Sequence, residues 1–373
     1  MRILFSCVPG YGHLIPLLPL ARAFRARGHQ VAIMVSRAEV SVVSDEDLQV
    51  LVAGADTPSV IAEVMRRTGE DVRGECSREA VIEAFTSARI DMSVDDSLAV
   101  AKAWGPDLVV HDLMDYVGAF LAAACDVERV CHTFGADVSA DFVRAAELRA
   151  AADYRARGVR WRRARWVVDI CPPDLQVDGW QEPPGWVPMR PEAYRSPSAP
   201  QSKTPTPLAR KPGILVTFGT MFGDPAVLDP ILRALSEHDF SLRVTLGRNQ
   251  SRADFTVDRK CVSFEEFMPY RELLEGVDAV VAHGGAGSNL GALTHGIPLV
   301  LAPQGADQRG QAERVAASGA GICIPRDEFS PHRIAQAANE ILRNPGYRAA
   351  ARRIAGQIGD MPAPDDVAAL LAN

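Results

Sequence analysis

The residues most able to do chemistry stand at three places in the chain. The first is Gly10-Tyr11-Gly12-His13, just beyond an apolar run. A histidine has an unperturbed pKa of about 6.5, which suits it to take a proton from a hydroxyl near neutrality. At a helix N-terminus the dipole favours the neutral, accepting imidazole. A carboxylate on the other ring nitrogen would fix the tautomer and stabilise the imidazolium that forms. Asp112 follows the apolar run Leu108–His111 and is placed to do this. Asp115 lies about one helical turn later, and the sequence leaves the choice between them open.

The second place is His283-Gly284-Gly285-Ala286-Gly287-Ser288. Small residues between a strand and a helix let a phosphate approach the backbone, where unpaired N–H groups and the helix dipole favour its charge. His283 and Ser288 can each donate to a phosphate oxygen. The third is Pro303-Gln304-Gly305-Ala306-Asp307-Gln308. A carboxylate beside an amide offers acceptors and donors to a polyol. Alone, a glycine-rich turn or an Asp-Gln helix start says little. On adjacent strand ends, the two make a phosphate cradle next to a hydroxyl-binding pair, the layout a nucleoside diphosphate sugar needs.

Elements must position these residues. Ile3–Val8 reads as a buried strand, residues 15–27 as a helix stopped by Gly28, and Val31–Val35 as a second strand. That is a strand–helix–strand unit of a parallel sheet. Leu108–His111 and Val130–Thr133 read as further strands, with a helix over Tyr116–Ala124 between them. Residues 40–100 read as helices and loops. The second half repeats the theme. Strands are expected over Gly213–Phe218, Leu242–Leu246, Val277–Ala282 and Leu299–Ala302, and helices over Pro225–Ser236, Gly287–Thr294 and Gln308–Ser318. Prolines crowd the stretch from Pro183 to Pro212, which therefore should not build a central strand or helix. The expected organisation is an N-terminal domain over 1–190, a Pro-rich linker over 191–212, a C-terminal domain over 213–355 and a last segment over 356–373. Open parallel sheets bind ligands outside the carboxyl ends of their strands.

The balance of the sequence narrows the function. A net charge of −7 argues against a broad nucleic-acid surface, and the basic stretch Arg155–Arg165 reads as a solvated face. Seven scattered cysteines, odd in number and without a C-x-x-C pair, suit reduced thiols in a cytoplasm. Pro9, Gly10, Gly12, His13 and Pro16 break the apolar N-terminus too often for a signal peptide. No run of about 20 apolar residues occurs, so no membrane span is expected. Asp45-Glu46-Asp47 imitates a metal motif, but no further ligand stands at the right spacing, and no metal or cofactor is expected.

The run H-G-G-x-G-S, with the later G-I-P and A-P-x-x-x-D-Q, resembles the donor-site signature of family 1 glycosyltransferases with the GT-B fold. The resemblance extends from the G-x-G-H loop to the Asp-Gln pair and is nearest to bacterial enzymes that glycosylate antibiotics and other natural products. It implies an α/β chain of two Rossmann-like domains facing across a cleft. It implies an inverting, metal-independent transfer of a sugar, often a deoxysugar on thymidine diphosphate or one on uridine diphosphate, to a small aglycone. His13 matches the family's base and Asp112 the place of its acidic partner, with Gly10, Tyr11 and Gly12 on the acceptor side. His283, Gly284, Gly285, Ala286, Gly287 and Ser288 match the pyrophosphate loop, and Asp307 and Gln308 the sugar contacts. Gly219 and Thr220 fall in a loop that touches the donor phosphates. Met268 matches a backbone contact to the base, and Phe267 stands where many members carry a stacking Trp. The last helix, about Pro364–Leu371, returns to the N-terminal domain in the family. The reading leaves room for a homodimer.

Other readings compete. A nicotinamide oxidoreductase fails because Ile15 stands where a third small residue belongs, and Ser36-Arg37 where an acidic residue should bind the ribose. A nucleotide-sugar epimerase or hydrolase would share the donor grip. A non-catalytic accessory partner of a transferase would have no need of His13. The acceptor is expected against residues 55–95 and 134–165, where Met65, Phe85, Met92, Phe134, Phe142 and Trp161 line a pocket or fill the core.

Overall fold

Ile3, Leu4 and Phe5 have no solvent exposure, which an apolar run reaches as a strand covered on both faces. They lie in β1 (Arg2–Ser6), the centre of a parallel sheet with β2 (Gln30–Val35), β3 (Gln49–Val52), β4 (Leu108–Asp112), β5 (Glu128–His132), β6 (Trp166–Asp169) and β7 (Trp186–Pro188). The order is β3-β2-β1-β4-β5-β6-β7. A second parallel sheet comprises β8 (Gly213–Thr217), β9 (Ser241–Thr245), β10 (Val262–Glu265), β11 (Ala279–Ala282), β12 (Leu299–Leu301) and β13 (Gly321–Cys323), in the order β10-β9-β8-β11-β12-β13. The structure is a computed structural model. It describes residues 1–372 except Glu75, Asp137, 196–204, 209–211, 220–223, 248–249, 258–260, Phe267 and Ala306.

Each sheet reverses its strand order once, between β1 and β4 in the first and between β8 and β11 in the second. Loops leaving the carboxyl ends on the two sides of such a point diverge and leave a crevice for ligands. Ser6 and Asp112 end the strands at the first switch point, Thr217 and Ala282 those at the second.

The chain divides into two units. The first holds Met1–Cys171, Gly179–Arg190 and Met361–Asn373; the second holds Pro172–Asp178 and Pro191–Asp360. The final helix, Pro364–Leu371, lies with the first unit, where Asp365 pairs with Arg27 at 3.1 Å and the Pro362 carbonyl accepts from the Arg190 N–H at 2.9 Å. Pro172–Asp178 joins the second unit through Asp174, which accepts from Arg353 and Gln357 at 2.7 Å each. Each unit has its own core, around Phe120, Tyr154 and Val109 in one and around Phe218, Leu232 and Val281 in the other.

Helices cover the sheets where caps and periodicity require. Asp56 accepts from the Ser59 N–H at 2.9 Å to open Thr57–Thr68, and Gly69 closes it in a left-handed conformation. Ser77 opens Arg78–Phe85, and the 18-residue helix Ser87–Trp104 follows directly. Within residues 40–100 the structure adds β3, which the sequence pattern missed. It is a half-exposed edge strand of four residues, too short for an alternating pattern to register.

Candidate active site

The loop after β1 turns into a four-residue helix, Tyr11–Leu14, whose last turn carries His13. The Gly10 carbonyl accepts from the N–H groups of His13 and Leu14 at 3.2 and 3.0 Å. Thr57 ties the loop from outside, donating its hydroxyl to the Pro9 carbonyl at 2.7 Å. His13 Nδ1 lies 3.1 Å from Asp112 Oδ1. The Asp112 side chain is 1% exposed and that of His13 21%. Asp112 also accepts from the Met114 N–H through Oδ1 at 2.8 Å and the Val8 N–H through Oδ2 at 2.6 Å. Burial pushes the Asp112 pKa up; His13 and these N–H groups outweigh it and hold the group below the usual carboxylate range.

Asp115 has another task. Its Oδ2 accepts from the Ser6 hydroxyl at 2.5 Å, and its Oδ1 accepts from Arg89 at 2.9 Å and caps Tyr116–Ala124 through the Val117 N–H at 3.2 Å. The same Arg89 nitrogen donates to the Cys7 carbonyl at 2.8 Å. Asp115 and Arg89 thus form a buried ion pair beneath the loop, and Asp112 alone of the two aspartates meets His13. Gly118 makes room for this arrangement: a Cβ there would lie 2.7 Å from both Asp115 Oδ2 and His111 Cβ.

Phe134 and Phe85 place their rings 4.8 and 6.1 Å from the His13 ring, so apolar surface adjoins that imidazole. The other candidate lining residues do other things. Trp161 covers the Arg129 guanidinium at 4.6 Å and packs on Tyr154, Phe142 adjoins Arg78, and Met65 and Met92 are exposed. His111 and His132, also at strand ends, are buried and neutral, with pKa values pushed down to about 4, chiefly by burial and for His111 also by Arg129. Glu46 and Asp47 pair with Arg22 and Arg25 of the first long helix.

In the second unit, Gly285 caps the helix Ala286–Thr294 with no side-chain bond to its first N–H groups. Gly284 has φ +91°, and a Cβ there would lie 3.0 Å from the Gln308 carbonyl oxygen. The glycine-rich loop therefore rests on the first turn of the helix Gln308–Ala317. Gly219, at φ +69°, closes over the His283 ring; a Cβ there would come within 2.9 Å of His283 Cε1. Gly285 flanks the same ring, where a Cβ would lie 2.6 Å from Nε2. Burial lowers the His283 pKa, with the Thr217 backbone and Asp307 opposing it. Gly287 is exposed, and among the described residues no atom beyond its chain neighbours and its own helix backbone lies within 4 Å of the position a Cβ would take. Ser288 is half-buried, and its carbonyl accepts from the Tyr270 hydroxyl at 3.2 Å.

The Asp-Gln pair divides. Asp307 is exposed, with Oδ2 accepting from Gln311 at 3.1 Å. Gln308 is 3% exposed, and its Oε1 accepts from the N–H groups of Gln304 and Gly305 at 2.8 and 3.3 Å. Its carbonyl end shapes the loop from within. Met268 is buried, while Thr220 and Phe267 lie outside the described residues. Ser6, Arg89 and Asn289, which also shape these loops, carried no signal in the sequence beyond being polar residues in apolar surroundings.

The model of the erythromycin biosynthesis protein CIII-like N-terminal domain matches residues 22–219, and that of the corresponding C-terminal domain residues 230–373. The chain belongs to the erythromycin biosynthesis protein CIII-like family. It is a bacterial glycosyltransferase of the natural-product type, with the GT-B fold. The transferase is 29% identical to the L-demethylnoviosyl transferase of Streptomyces niveus, over all of this chain and 98% of that one. It is 27% identical to the 10-deoxymethynolide desosaminyltransferase of Streptomyces venezuelae, over 98% of this chain and 95% of that one. Among solved structures it resembles the spinosyn rhamnosyltransferase SpnG complexed with spinosyn aglycone, with a TM-score of 0.84, 25% identity and full coverage of both chains. It also resembles the glycosyltransferase SsfS6 of Streptomyces sp. SF2575 complexed with thymidine diphosphate, at a TM-score of 0.83 and 25% identity, covering 100% of this chain and 99% of that one. Among the described residues no helix is long and apolar enough to cross a membrane.

Proposed function

We propose that the enzyme transfers a deoxysugar from thymidine diphosphate to a hydroxyl of a small, apolar natural-product aglycone, with inversion and with His13 as general base. The observation that carries this reading is the His13–Asp112 contact at the switch point of the first sheet. With Nδ1–H donated to Asp112, Nε2 is the nitrogen bearing the lone pair. It takes the acceptor hydroxyl proton as the oxygen attacks the anomeric carbon, and the bond from that carbon to the diphosphate breaks. Asp112, held ionised by its three partners, stabilises the imidazolium without taking the proton. Attack opposite the leaving group inverts the anomeric centre.

The donor side of the reading rests on the second sheet's switch point. The uncapped start of Ala286–Thr294 offers N–H groups to the departing diphosphate, and open space at Gly287 lets it approach. These groups supply the charge stabilisation, so the mechanism needs no metal. Asp307 accepts from sugar hydroxyls in this reading, and its exposure supports it. The names of the relatives, a demethylnoviosyl and a desosaminyl transferase, support a deoxysugar. The thymidine diphosphate and spinosyn aglycone in the similar structures support the donor nucleotide and an aglycone acceptor. The rings of Phe85 and Phe134 beside His13 suit such an aglycone.

The test is to incubate the enzyme with thymidine diphosphate deoxysugars and a panel of polycyclic and macrolide aglycones, with and without a chelator. Product mass and anomeric configuration are then followed. A glycoside of inverted configuration, formed in chelator and lost in His13→Ala, is expected. Full activity in His13→Ala would overturn the base assignment. Diphosphate release that needs no acceptor would favour a hydrolase.

A further inference from the structure

Asn289 lies in the second turn of the helix Ala286–Thr294 and is 1% exposed. Its neighbours Leu290, Ala292 and Leu293 are apolar and buried. Its Nδ2 donates to the Gly284 carbonyl at 2.9 Å, whereas its Oδ1 is buried without a partner among the described residues. A buried, unpaired amide oxygen costs about 1–3 kcal/mol. What the amide supplies in return is its one bond, to Gly284.

That bond has a geometric consequence. In a trans peptide, the carbonyl of one residue and the N–H of the next point in opposite directions. Holding the Gly284 carbonyl on the Asn289 amide therefore aims the Gly285 N–H the opposite way, away from Asn289. Gly284, at φ +91°, is the residue whose backbone has most freedom to turn otherwise. We propose that Asn289 is a positioning residue of the donor site, setting the Gly285 peptide so that its N–H faces the donor diphosphate. This rests on the donor reading above. Asn289 touches no substrate; it acts through the loop.

The role separates phosphate binding from nucleoside binding. Affinities of the full chain for thymidine diphosphate and for thymidine are measured by calorimetry, in the wild type and in Asn289→Ala and Asn289→Leu. Leu has the same number and branching of side-chain heavy atoms without a donor, so it covers the case in which Ala leaves a cavity that impairs folding. Thermal unfolding without ligand checks both variants. Diphosphate affinity is expected to fall about tenfold, the loss of one hydrogen bond to a charged group. Thymidine affinity and the aglycone KM are expected to stay unchanged while the donor KM rises. Diphosphate affinity within about twofold of wild type in a folded variant would overturn the proposal. So would an equal loss for thymidine, which would mark a general packing defect. A wild type that binds thymidine but gains nothing from the diphosphate would overturn the donor reading itself, and the proposal with it.

Discussion

The two switch-point regions solve opposite problems. Around His13 the first unit holds charge still: Asp112 has three partners, and Asp115 is bound to Ser6, Arg89 and its own helix. Around Gly284–Ser288 the second unit leaves the helix start without a side-chain cap among the described residues, and its loops are shaped by glycine contacts and by the neutral amides of Asn289 and Gln308. A base whose charge changes each turnover needs a fixed counter-charge. A site whose ligand brings its own charge needs donors without occupants. The first region should therefore fail in catalysis or stability when altered, and the second in donor affinity.

The largest expected effect is that of His13→Ala. General-base catalysis contributes typically about 10²–10⁴-fold. A loss of kcat in that range, with the affinity for thymidine diphosphate unchanged, would place His13 on the catalytic side of the contrast. A matching loss of donor affinity would blur it.

Next comes Arg89→Leu. It leaves the Asp115 carboxylate buried with only neutral partners, and breaking a buried pair from one side costs about 3–5 kcal/mol. Urea unfolding of the variant should show a loss of that size. Adding Asp115→Asn should recover part of it, because the stranded charge is then gone. Additive losses would mean that the pair is not the main load on this loop.

Acid should separate the units as well. His111 and His132 stay neutral in the folded chain down to about pH 4, whereas in the unfolded chain they take a proton below about pH 6.5. Between those values the unfolded state binds more protons, so stability present at pH 7 is lost as the pH falls. By pH 5 the loss is about 2 kcal/mol per histidine. All five tryptophans (Trp104, Trp161, Trp166, Trp180 and Trp186) lie in the first unit. Their fluorescence therefore reports that unit alone, and its urea midpoint should fall steeply from pH 7 to pH 5. His132→Leu should flatten that slope. An unchanged slope in the variant would remove His132 from the account.

The same contrast separates what could be read in the sequence from what could not. The strand–loop–helix turns at His13 and at His283–Ser288 were legible because Gly, Pro and His punctuate apolar runs there. The paired choice of Asp112 or Asp115 was not legible. It depends on Arg89, a lone arginine in a helix, which reaches the Cys7 carbonyl 82 positions away. Nor did the sequence separate Asp307 from Gln308. The two are adjacent, and only the fold of 303–305 turns one amide inward and leaves its neighbouring carboxylate exposed. Asn289 went unread for a similar reason. It is a polar residue beside the motif whose partner is the motif's own backbone. Motif chemistry is local, whereas the contacts that aim it are tertiary.

The smallest effect is the sharpest test of the second region. Gly287 sits in the first turn of an α-helix, and among the described residues nothing outside its own helix and chain neighbours lies within 4 Å of a Cβ. Glycine there costs about 0.5–1 kcal/mol of helix stability relative to better helix formers. Gly287→Leu should therefore leave the unfolding midpoint unchanged or raise it. If that space is where a diphosphate approaches, the same side chain obstructs it, and the donor KM should rise about tenfold, or about 1.4 kcal/mol. The aglycone KM should not move. Stability and affinity would then move apart in one variant, as expected of a site kept open at some cost to its own helix. A variant with unaltered donor KM would show instead that the open space at Gly287 faces solvent, and that the phosphates are met elsewhere on the loop.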